Sequence, residues 1–395
     1  MKITWARQRG EEMRFLFITD NPIHGYGGGS IENQKQFHSI YTYCRKYDHE
    51  LKVMSLDTDI KENRDYHVTK NRFSDILSRI QGHSSYMFRV WKKNRKKVFE
   101  YNPDVIILER SRLGFIAKDV KQNNNCKVVT NIENVEMDYI DGYFAEKNNF
   151  FYLIIKYFEK KIVFKDERDS IMFSDKLVYL TLRDVNRIRE LYNYIDNNPC
   201  IVPICLPKLV ELKKESNKKT IAFVGSLNYS SNIQAVKTIV KDIWEKTFSC
   251  NDNLELIIAG REPSNELKSL LNKYKNVTLI SNFEDLSLIL PKSSLLLAPI
   301  KEGAGMKVKV ADAMSMGLII IGSDEALVGY EEAVTKSEGI KRANTPEEYI
   351  EFIKEYISMP VEKINEVSEV NKRIFDDKYS YKTSVKLLEK FYNEL

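Results

Sequence analysis

The stretch LLLAPIKEGAGMKVKVADAMSMGLIIIGS (295–323) decides the fold class of the chain. It reads as a buried strand, a glycine-bounded loop, a short helix and a second buried strand, the unit of a parallel α/β sheet. Gly303, Ala304 and Gly305 carry almost no side chain, so their backbone N–H groups can approach an anion at the N-terminus of the next helix. The stretch predicts a diphosphate-binding loop, with the helical acid Asp312 near a polyhydroxylated group; an ordinary β-loop-α turn is the alternative.

Length and composition indicate a two-domain globular protein. The chain has 395 residues, 43% of them hydrophobic and 30% charged, which is long for one core and too apolar for disorder. The net charge of +5 is much smaller than the strongly positive charge that is typical of a nucleic-acid-binding protein. Five scattered cysteines without a C-x-x-C pair indicate reduced thiols in a cytosolic protein.

Short apolar strands alternate with helical patterns from one end of the chain to the other, which predicts two doubly wound α/β domains. A proline-marked segment followed by LKKESNKK forms a connector near 196–219. We therefore expect an N-terminal extension, two domains, and a C-terminal helix that packs back on the first domain. Their predicted ranges are 1–12, 13–198, 199–375 and 376–395.

The glycine-rich loop NPIHGYGGGS (21–30) follows the first strand. Ligands of open α/β sheets bind beyond the carboxyl ends of the strands. Gly27, Gly28 and Gly29 run directly into a helix, so this loop is a candidate for close approach to a phosphate or sugar. A flexible turn is the alternative. His24 is the histidine of the chain that lies on a strand-end loop.

The acidic loop TNIENVEMDY (130–139) follows the fourth strand. It places Asn131, Glu133, Glu136 and Asp138 where a catalytic or acceptor-binding group is useful. The alternative is a solvated acidic loop without a ligand.

Two further loops have structural interpretations. GSLNYSSN (225–232) opens a helix, with Asn232 resembling an N-cap. Asp57, Thr58 and Asp59 form a D-x-D sequence, which can bind a metal ion. Their distance along the sequence from the predicted diphosphate loop favours a loop of solvated acids instead.

An ordered set of segments resembles the retaining nucleotide-sugar glycosyltransferases of glycosyltransferase family 4. The segments are FVGSLNYSSNIQAV, IIAGREP, VTLISNFEDL and the stretch 295–323. The resemblance covers the second half in register and continues more weakly through the GGG loop, the N-I-E segment and FEKKI…SDKLVYLTLRDV. It implies an α/β fold of the GT-B type, with two Rossmann-like domains. It also implies sugar transfer with retention from a nucleotide-diphosphate-sugar to an acceptor hydroxyl, in bacterial capsule, exopolysaccharide or lipopolysaccharide synthesis.

The resemblance also implies donor-binding roles for individual residues. The amides of the loop 303–305 bind the diphosphate and sugar, and Asp312 stands where the family usually has a ribose-binding Glu. Lys307 and Lys309 are the cations that compensate phosphate charge. The remaining donor-binding positions are Met306, Gly225, Ser226, Asn282, Phe283 and the loop residues Gly27, Gly28 and Gly29.

The sequence departs from the family at the donor site. The Arg and Lys that many relatives carry after the F-V-G strand are absent, which places more weight on Lys307 and Lys309. The usual E-x7-E pair is broken, because Ala304 stands eight residues before Asp312 and Glu302 is out of register by two.

A second departure concerns the first domain. The His that often follows the fourth strand is replaced within T-N-I-E (130–133). The candidate catalytic residues are therefore Asn131, Glu133, His24 and Lys309. The resemblance implies no cofactor and no metal, since amides, a helix N-terminus and a Lys can stabilise the leaving diphosphate.

Two basic aromatic stretches predict contact with a membrane surface. YMFRVWKKNRKKVFEY (86–101), which we favour, and NNFFYLIIKYFEKKIVFK (148–165) mix cations with aromatics at helical spacing. Ordinary amphipathic helices are the alternative. The expected partners are a nucleotide-sugar donor, a saccharide or lipid-linked saccharide acceptor and a membrane surface, without nucleic acid. The expected location is the cytoplasm, at the inner face of the plasma membrane.

Two other functions share the same donor chemistry. A nucleotide-sugar epimerase of GT-B fold binds the donor without an acceptor, and it would carry more acids and histidines in its cleft. A non-catalytic GT-B subunit that partners an active transferase fits the broken E-x7-E pair and the missing His. Turnover of a nucleotide-sugar panel separates the three.

Overall fold

Two parallel β-sheets, one in each of two units, organise the chain in the computed structural model. The first unit contains Met1–Val202 and Ser384–Leu395, and the second contains Pro203–Thr383. The sequence predicts boundaries after residues 198 and 375, and the structure divides the chain after Val202 and after Thr383. The residues that the structure describes are 12–24, 28–57, 66, 68–144, 149–209, 218–281, 286–291 and 294–395.

The sheet of the first unit has six strands, and all neighbouring strands are parallel. The strands are short apolar runs because helices cover both faces of a parallel sheet and exclude water from it. They are β1 (Arg14–Thr19), β2 (Glu50–Met54), β3 (Val105–Glu109), β4 (Lys127–Ile132), β5 (Lys176–Tyr179) and β6 (Cys200–Ile201). Their order in the sheet is β2-β1-β3-β4-β5-β6.

Helices connect these strands, and the last helix of the chain completes the core of the first unit. In that core Leu388 and Tyr392 lie with Phe15 and Tyr43. The helices are α1 (Gly28–Lys46), α2 (Arg72–Ile80), α3 (Met87–Tyr101), α4 (Gly114–Asn123), α5 (Glu136–Tyr143), α6 (Phe150–Phe173), α7 (Leu182–Tyr192) and, from the chain's far end, α15 (Tyr381–Asn393).

The second unit repeats this plan with its own six-stranded parallel sheet. Its strands are β7 (Lys219–Val224), β8 (Leu254–Gly260), β9 (Val277–Ser281), β10 (Leu295–Ala298), β11 (Ile319–Gly322) and β12 (Ile340–Arg342). Their order is β12-β11-β10-β7-β8-β9.

The helices of the second unit include one with a π-helical segment, Thr238–Trp244, between two α-helical parts. A capping box between Thr345 and Glu348, within the sequence Thr-Pro-Glu-Glu, starts the helix that follows β12. The helices are α8 (Ser230–Lys237), α9 (Glu245–Thr247), α10 (Asn265–Leu271), α11 (Val308–Met316), α12 (Glu331–Lys336), α13 (Pro346–Ser358) and α14 (Val361–Lys378).

Each sheet has one topological switch point, where successive connections leave in opposite directions. In the first sheet it lies between β1 and β3, and in the second between β7 and β10. Ligands of open α/β sheets bind beside such points, at the carboxyl ends of the strands. Within the described ranges, no helix combines the length and the apolar character that crossing a bilayer requires.

Candidate functional site

The glycine-bounded loop lies at the carboxyl end of β10, beside the switch point of the second sheet. Gly305 adopts the left-handed backbone conformation, with φ of 62°, which a side chain would strain. Among the described residues, no hydrogen bond is donated by the backbone N–H of Gly303, Ala304, Gly305 or Met306. The loop therefore has amide donors available for an anion, and the N-terminus of α11 follows at once.

Lys307 holds this loop from one side. Its Nζ donates to the carbonyl of Gly305 at 2.9 Å, to that of Ala304 at 3.3 Å and to Glu325 Oε1 at 2.8 Å. A trans peptide directs its carbonyl and its N–H in opposite directions. Because Lys307 binds these carbonyls, the N–H groups of Gly305 and Met306 point away from it, toward the side where an anion can bind.

Lys309, in the first turn of α11, joins this helix to α8 beside the switch point. Its Nζ donates to Asn232 Oδ1 at 2.8 Å and lies 4.2 Å from the centre of the Phe223 ring. Burial of the ammonium group, with the charge of Lys307 as the smaller cause, lowers the pKa of Lys309 to about 7. An incoming diphosphate would supply the negative charge that this ammonium group lacks.

Gly225 is required where the loop after β7 meets Lys309. A Cβ atom there would lie 2.9 Å from the Asn232 side chain and 2.9 Å from Lys309 Nζ. Asn232 Nδ2 in turn donates to the carbonyl of Ser226 at 2.9 Å. The prediction that Asn232 caps the helix is wrong, because α8 begins at Ser230. Asn232 lies in the first turn of α8 and links Ser226 to Lys309.

The remaining predicted donor-binding residues of this loop occupy different positions. Asp312 lies half-buried in the second turn of α11. Met306 is buried, and its Sδ accepts from the Ile204 N–H at 3.3 Å, so its backbone rather than its side chain is available to a ligand. Glu302 is exposed.

Several predictions fall at the edge of the described residues. Gly28 and Gly29 are the first residues of α1. Gly27, Asn282 and Phe283 lie outside the described ranges.

Arg110 stands at the switch point of the first sheet and was not predicted from the sequence. It follows β3 with φ of 92° and ψ of 139°, a backbone region that non-glycine residues rarely enter. Its N–H donates to the carbonyl of Asn131 at 3.1 Å. Its guanidinium lies 3.4 Å from Asp20, 3.5 Å from Glu133 and 3.0 Å from Glu136. Strain of this kind persists where the surroundings fix it, and it is concentrated at functional sites.

The carboxyl group of Glu133, in the loop beside Arg110, has a shifted pKa. Burial raises its pKa to about 8, against the opposing effect of the Arg110 charge. Its side chain is 4% exposed, and Oε1 makes no hydrogen bond with the residues that the structure describes. This shift favours the protonated form of Glu133 near neutral pH, and in that form the carboxyl group can donate to or accept from a hydroxyl group.

Asn131 and Glu109 form a second buried pair at the same edge. Asn131 Nδ2 donates to Glu109 Oε2 at 2.6 Å, and Asn131 Oδ1 makes no hydrogen bond within the described part of the chain. Burial and the nearby charge of Glu133 raise the pKa of Glu109 well above its usual range.

The alternative of a solvated loop does not hold for three of the four candidates Asn131, Glu133, Glu136 and Asp138, because the first three are buried. Glu136 is 1% exposed, bonds Arg112 at 2.6 Å, and has its pKa lowered by Arg110 and Arg112 against the effect of burial. Its N–H donates at 2.9 Å to the buried Glu167, whose pKa burial raises to about 7. Only Asp138 is partly exposed, paired with Arg187.

His24 and Asp57 meet after β1. Asp57 is buried, and its carboxylate accepts from the N–H of Ile23 at 2.6 Å and of His24 at 3.0 Å. This first acid of D-x-D is therefore neither solvated nor free for a metal. Thr58 and Asp59 lie outside the described ranges. Among the residues described, no three metal-binding side chains are grouped together.

Comparison with known proteins finds a family match within the second unit. Residues 218–358 match the family model described as Glycosyl transferases group 1. An uncharacterized 44.6 kDa protein in the cps region of Klebsiella pneumoniae is 24% identical over 264 residues, 64% of this chain. The match covers 65% of that relative, so the chain spans slightly less than two thirds of its length.

The whole chain is similar to solved glycosyltransferase structures. Sucrose-phosphate synthase from Thermosynechococcus elongatus superposes with a TM-score of 0.70 and 10% identity, covering 97% of this chain and 99% of the other. WaaG, a glycosyltransferase involved in lipopolysaccharide biosynthesis, superposes with a TM-score of 0.66 at 14% identity, covering 95% of this chain and 99% of WaaG. Anabaena HepE, in complex with UDP and glucose, superposes with a TM-score of 0.63 at 10% identity, covering 97% of this chain and 100% of HepE.

At these identities the structural likeness establishes the fold. The predicted α/β architecture with two Rossmann-like parallel sheets is confirmed. The chain thus has the GT-B fold, and its second unit matches the glycosyl transferases group 1.

Proposed function

We propose that this protein transfers a sugar from a nucleotide-diphosphate-sugar to an acceptor hydroxyl, with retention of configuration at the sugar. The observation that carries the proposal is the second unit's switch point. There, amide donors of the glycine-bounded loop, the N-terminus of α11 and the ammonium group of Lys309 all lie beside the same switch point. Such a site suits a diphosphate.

In this proposal the donor is held by its diphosphate and ribose. The N–H groups of Gly303, Ala304 and Gly305 contact phosphate oxygens, and Lys309 balances their charge. Asp312 accepts hydrogen bonds from the ribose hydroxyls. Lys307 does not contact phosphate directly; it keeps the loop amides oriented through the carbonyls that it binds.

The transfer breaks the bond between the sugar's anomeric carbon and the diphosphate oxygen. A bond from the acceptor oxygen to the same carbon forms on the same face, and the acceptor proton passes to the leaving phosphate oxygen. Charge develops on the diphosphate during this step, where fixed amides and Lys309 stabilise it. We propose that the reaction requires no metal ion.

We place acceptor binding on the first unit. Glu133, with an oxygen that lacks a partner in the described structure, binds a hydroxyl of the acceptor. Asn131 Oδ1, which also has no partner among the described residues, offers a further acceptor of hydrogen bonds. His24, whose side chain is exposed after β1, remains a candidate contact to the same hydroxyls.

The biological setting is the synthesis of bacterial surface polysaccharide, in the cytoplasm and in contact with the inner face of the membrane. The similarity to a protein of a cps region and to a glycosyltransferase of lipopolysaccharide biosynthesis supports this setting. A neighbour in complex with UDP and glucose favours a UDP-sugar as donor.

A thermal-shift panel with UDP-, GDP- and ADP-sugars tests the donor class, because ligand binding raises apparent stability by mass action. We expect one nucleotide series to raise the melting temperature, and release of free sugar or a glycoside to continue in EDTA. Conversion of the donor into its epimer without an acceptor indicates the epimerase. Binding without any turnover indicates a partner subunit. Absence of a shift with every nucleotide contradicts the proposal.

A further inference from the structure

The first half of α6 exposes apolar side chains on all of its faces. Residues 150–155, FFYLII, are all exposed, from 37% at Ile155 to 79% at Phe150. Because an α-helix has 3.6 residues per turn, six consecutive exposed residues cover its whole circumference. Tyr157 and Phe158, at 56% and 58% exposed, extend the exposed segment.

The short helix α2 adds a second exposed apolar face. Phe73, Ile76 and Ile80 are 70%, 56% and 75% exposed, and their spacing places them along one side of the helix. Arg79 on α2 donates to both carboxylate oxygens of Glu159 on α6, at 3.0 and 3.2 Å. This ion pair places α2 beside α6. We call the exposed apolar side chains of the two helices the apolar surface, defined by Phe73, Ile76, Ile80, 150–155, Tyr157 and Phe158.

Apolar side chains that are exposed as a group mark sites of interaction. In contrast, the stretch 86–101, which the sequence favours for membrane contact, forms α3 and buries Val90, Trp91 and Val98 in the core. One buried face fits the alternative of an ordinary amphipathic helix, and membrane contact by 86–101 stays a prediction. The exposed apolar side chains lie instead on α6 and on the unpredicted α2.

Basic side chains follow directly behind the apolar segment. Residues 149–165 contain four lysines and one glutamate. Lys156 and Lys160 each lie 2.8 Å from Asp141, and Lys161 lies 4.5 Å from the centre of the Tyr157 ring. An apolar helix end backed by cations is the pattern of helices that enter the interface of an anionic membrane.

We propose that this apolar surface docks the protein on a bilayer that contains anionic phospholipid. The apolar side chains enter the acyl region, and the lysines behind them remain among the headgroups. A second copy of the chain would cover one face of a helix, whereas residues 150–155 need cover on every face, which a fluid bilayer provides. The inference rests on the proposed location at a membrane, and not on the transferase chemistry.

Vesicle flotation tests this surface on the full chain. We compare phosphatidylcholine vesicles with and without phosphatidylglycerol, using the wild type and the triple variant Phe150→Ser, Phe151→Ser, Ile154→Ser. The matched control is Leu182→Ser with Ile195→Ser, which removes side chains that are 60% and 62% exposed elsewhere on the unit. We expect wild type and control to float with anionic vesicles, and the triple variant to bind at least roughly tenfold more weakly, given the apolar area withdrawn from water.

Two results overturn the inference: wild type that does not float, or a triple variant that floats like the control. A wild type that dimerises, with loss of the dimer in the triple variant and no flotation, assigns the surface to a second copy. The nucleotide thermal shift is measured on the same samples. If the shift is present without flotation, the docking surface fails alone; if flotation occurs without any shift, the proposed transferase function fails alone.

Discussion

The ammonium group of Lys309 lies 2.8 Å from the side-chain oxygen of Asn232, and this contact joins α8, which follows β7, to α11, which follows β10. Asn232 also binds the carbonyl of Ser226 through its amide nitrogen. A single amide side chain thus fixes the position of the cation at the switch point of the second sheet. The following predictions rest on this arrangement and on the buried carboxyls of the first unit.

Replacing Lys309 by Met should weaken donor binding strongly. The variant removes the cation that we place against the diphosphate, and a hydrogen bond to a charged group contributes about 1.5–3 kcal/mol, or roughly 10–100-fold in affinity. Isothermal titration with the nucleotide diphosphate measures the loss. Lys301→Met, an exposed lysine of the same loop, is the matched control. Equal affinities for both variants would remove Lys309 from the site.

Donor affinity should fall as the pH rises above 7. The pKa of Lys309 is about 7 without ligand, and a bound diphosphate raises it, so binding takes up a proton above that pH. One proton gives a limiting slope of about tenfold in affinity per pH unit. In Lys309→Met this dependence should disappear. An unchanged pH profile in that variant would assign the titration to another group.

Folding stability should respond to the same group in the opposite direction. The folded pKa of Lys309 is lowered from 10.5 to about 7, so the unfolded chain binds more protons between these values. Stability therefore rises with pH across this window. Met carries no charge, so the free energy of unfolding of Lys309→Met lacks this pH dependence. Urea unfolding should therefore show the free energy of unfolding of the wild type rising relative to that of Lys309→Met from pH 7 toward pH 10.

Gly225→Ala should disturb the donor site with little effect elsewhere. The added Cβ meets Asn232 and Lys309 at 2.9 Å, and such overpacking costs typically about 1–3 kcal/mol. We expect weaker nucleotide binding and a modest loss of stability. Gly142→Ala is the matched control, because nothing lies within 4 Å of its Cβ position. That control should bind nucleotide as the wild type does.

Glu133→Gln should retain most transfer activity at neutral pH, because an amide resembles the protonated carboxyl in shape and hydrogen bonding. The wild type should lose activity above pH 8 as Glu133 ionises, and the Gln variant should not. Glu133→Ala should lose roughly 10²-fold or more in kcat at all pH values. A Gln variant as inactive as Ala would show that the carboxylate form acts instead.

Most strands were predictable because a parallel sheet is buried on both faces, and such strands appear as continuous apolar runs. The glycine-bounded loop was predictable for a related reason, since its small residues lie between two such runs. The short helix α2 was missed because its apolar residues face solvent and contribute nothing to a core pattern.

Arg110 was missed because no local motif marks it. Its importance comes from three acids that belong to other strand ends, and chain topology alone brings Asp20, Glu133 and Glu136 to one guanidinium. The charged pair Glu109-Arg110, directly after the apolar run DVIIL (104–108), was the available signal. The burial of the acidic loop was not predictable from the sequence either. Arg112 and Glu167 contact Glu136 through tertiary packing, and no sequence spacing links these residues to it.

The last helix, which completes the core of the first unit, also sets the order in which the protein can be finished during synthesis. When Val202 has been added, residues 203–383 are still to be made before Leu388 and Tyr392 exist. At roughly 5–20 residues per second, this delay is on the order of ten to forty seconds. During this delay Phe15 and Tyr43 lack the helix that covers them, so the nascent first unit exposes hydrophobic side chains that a chaperone can bind.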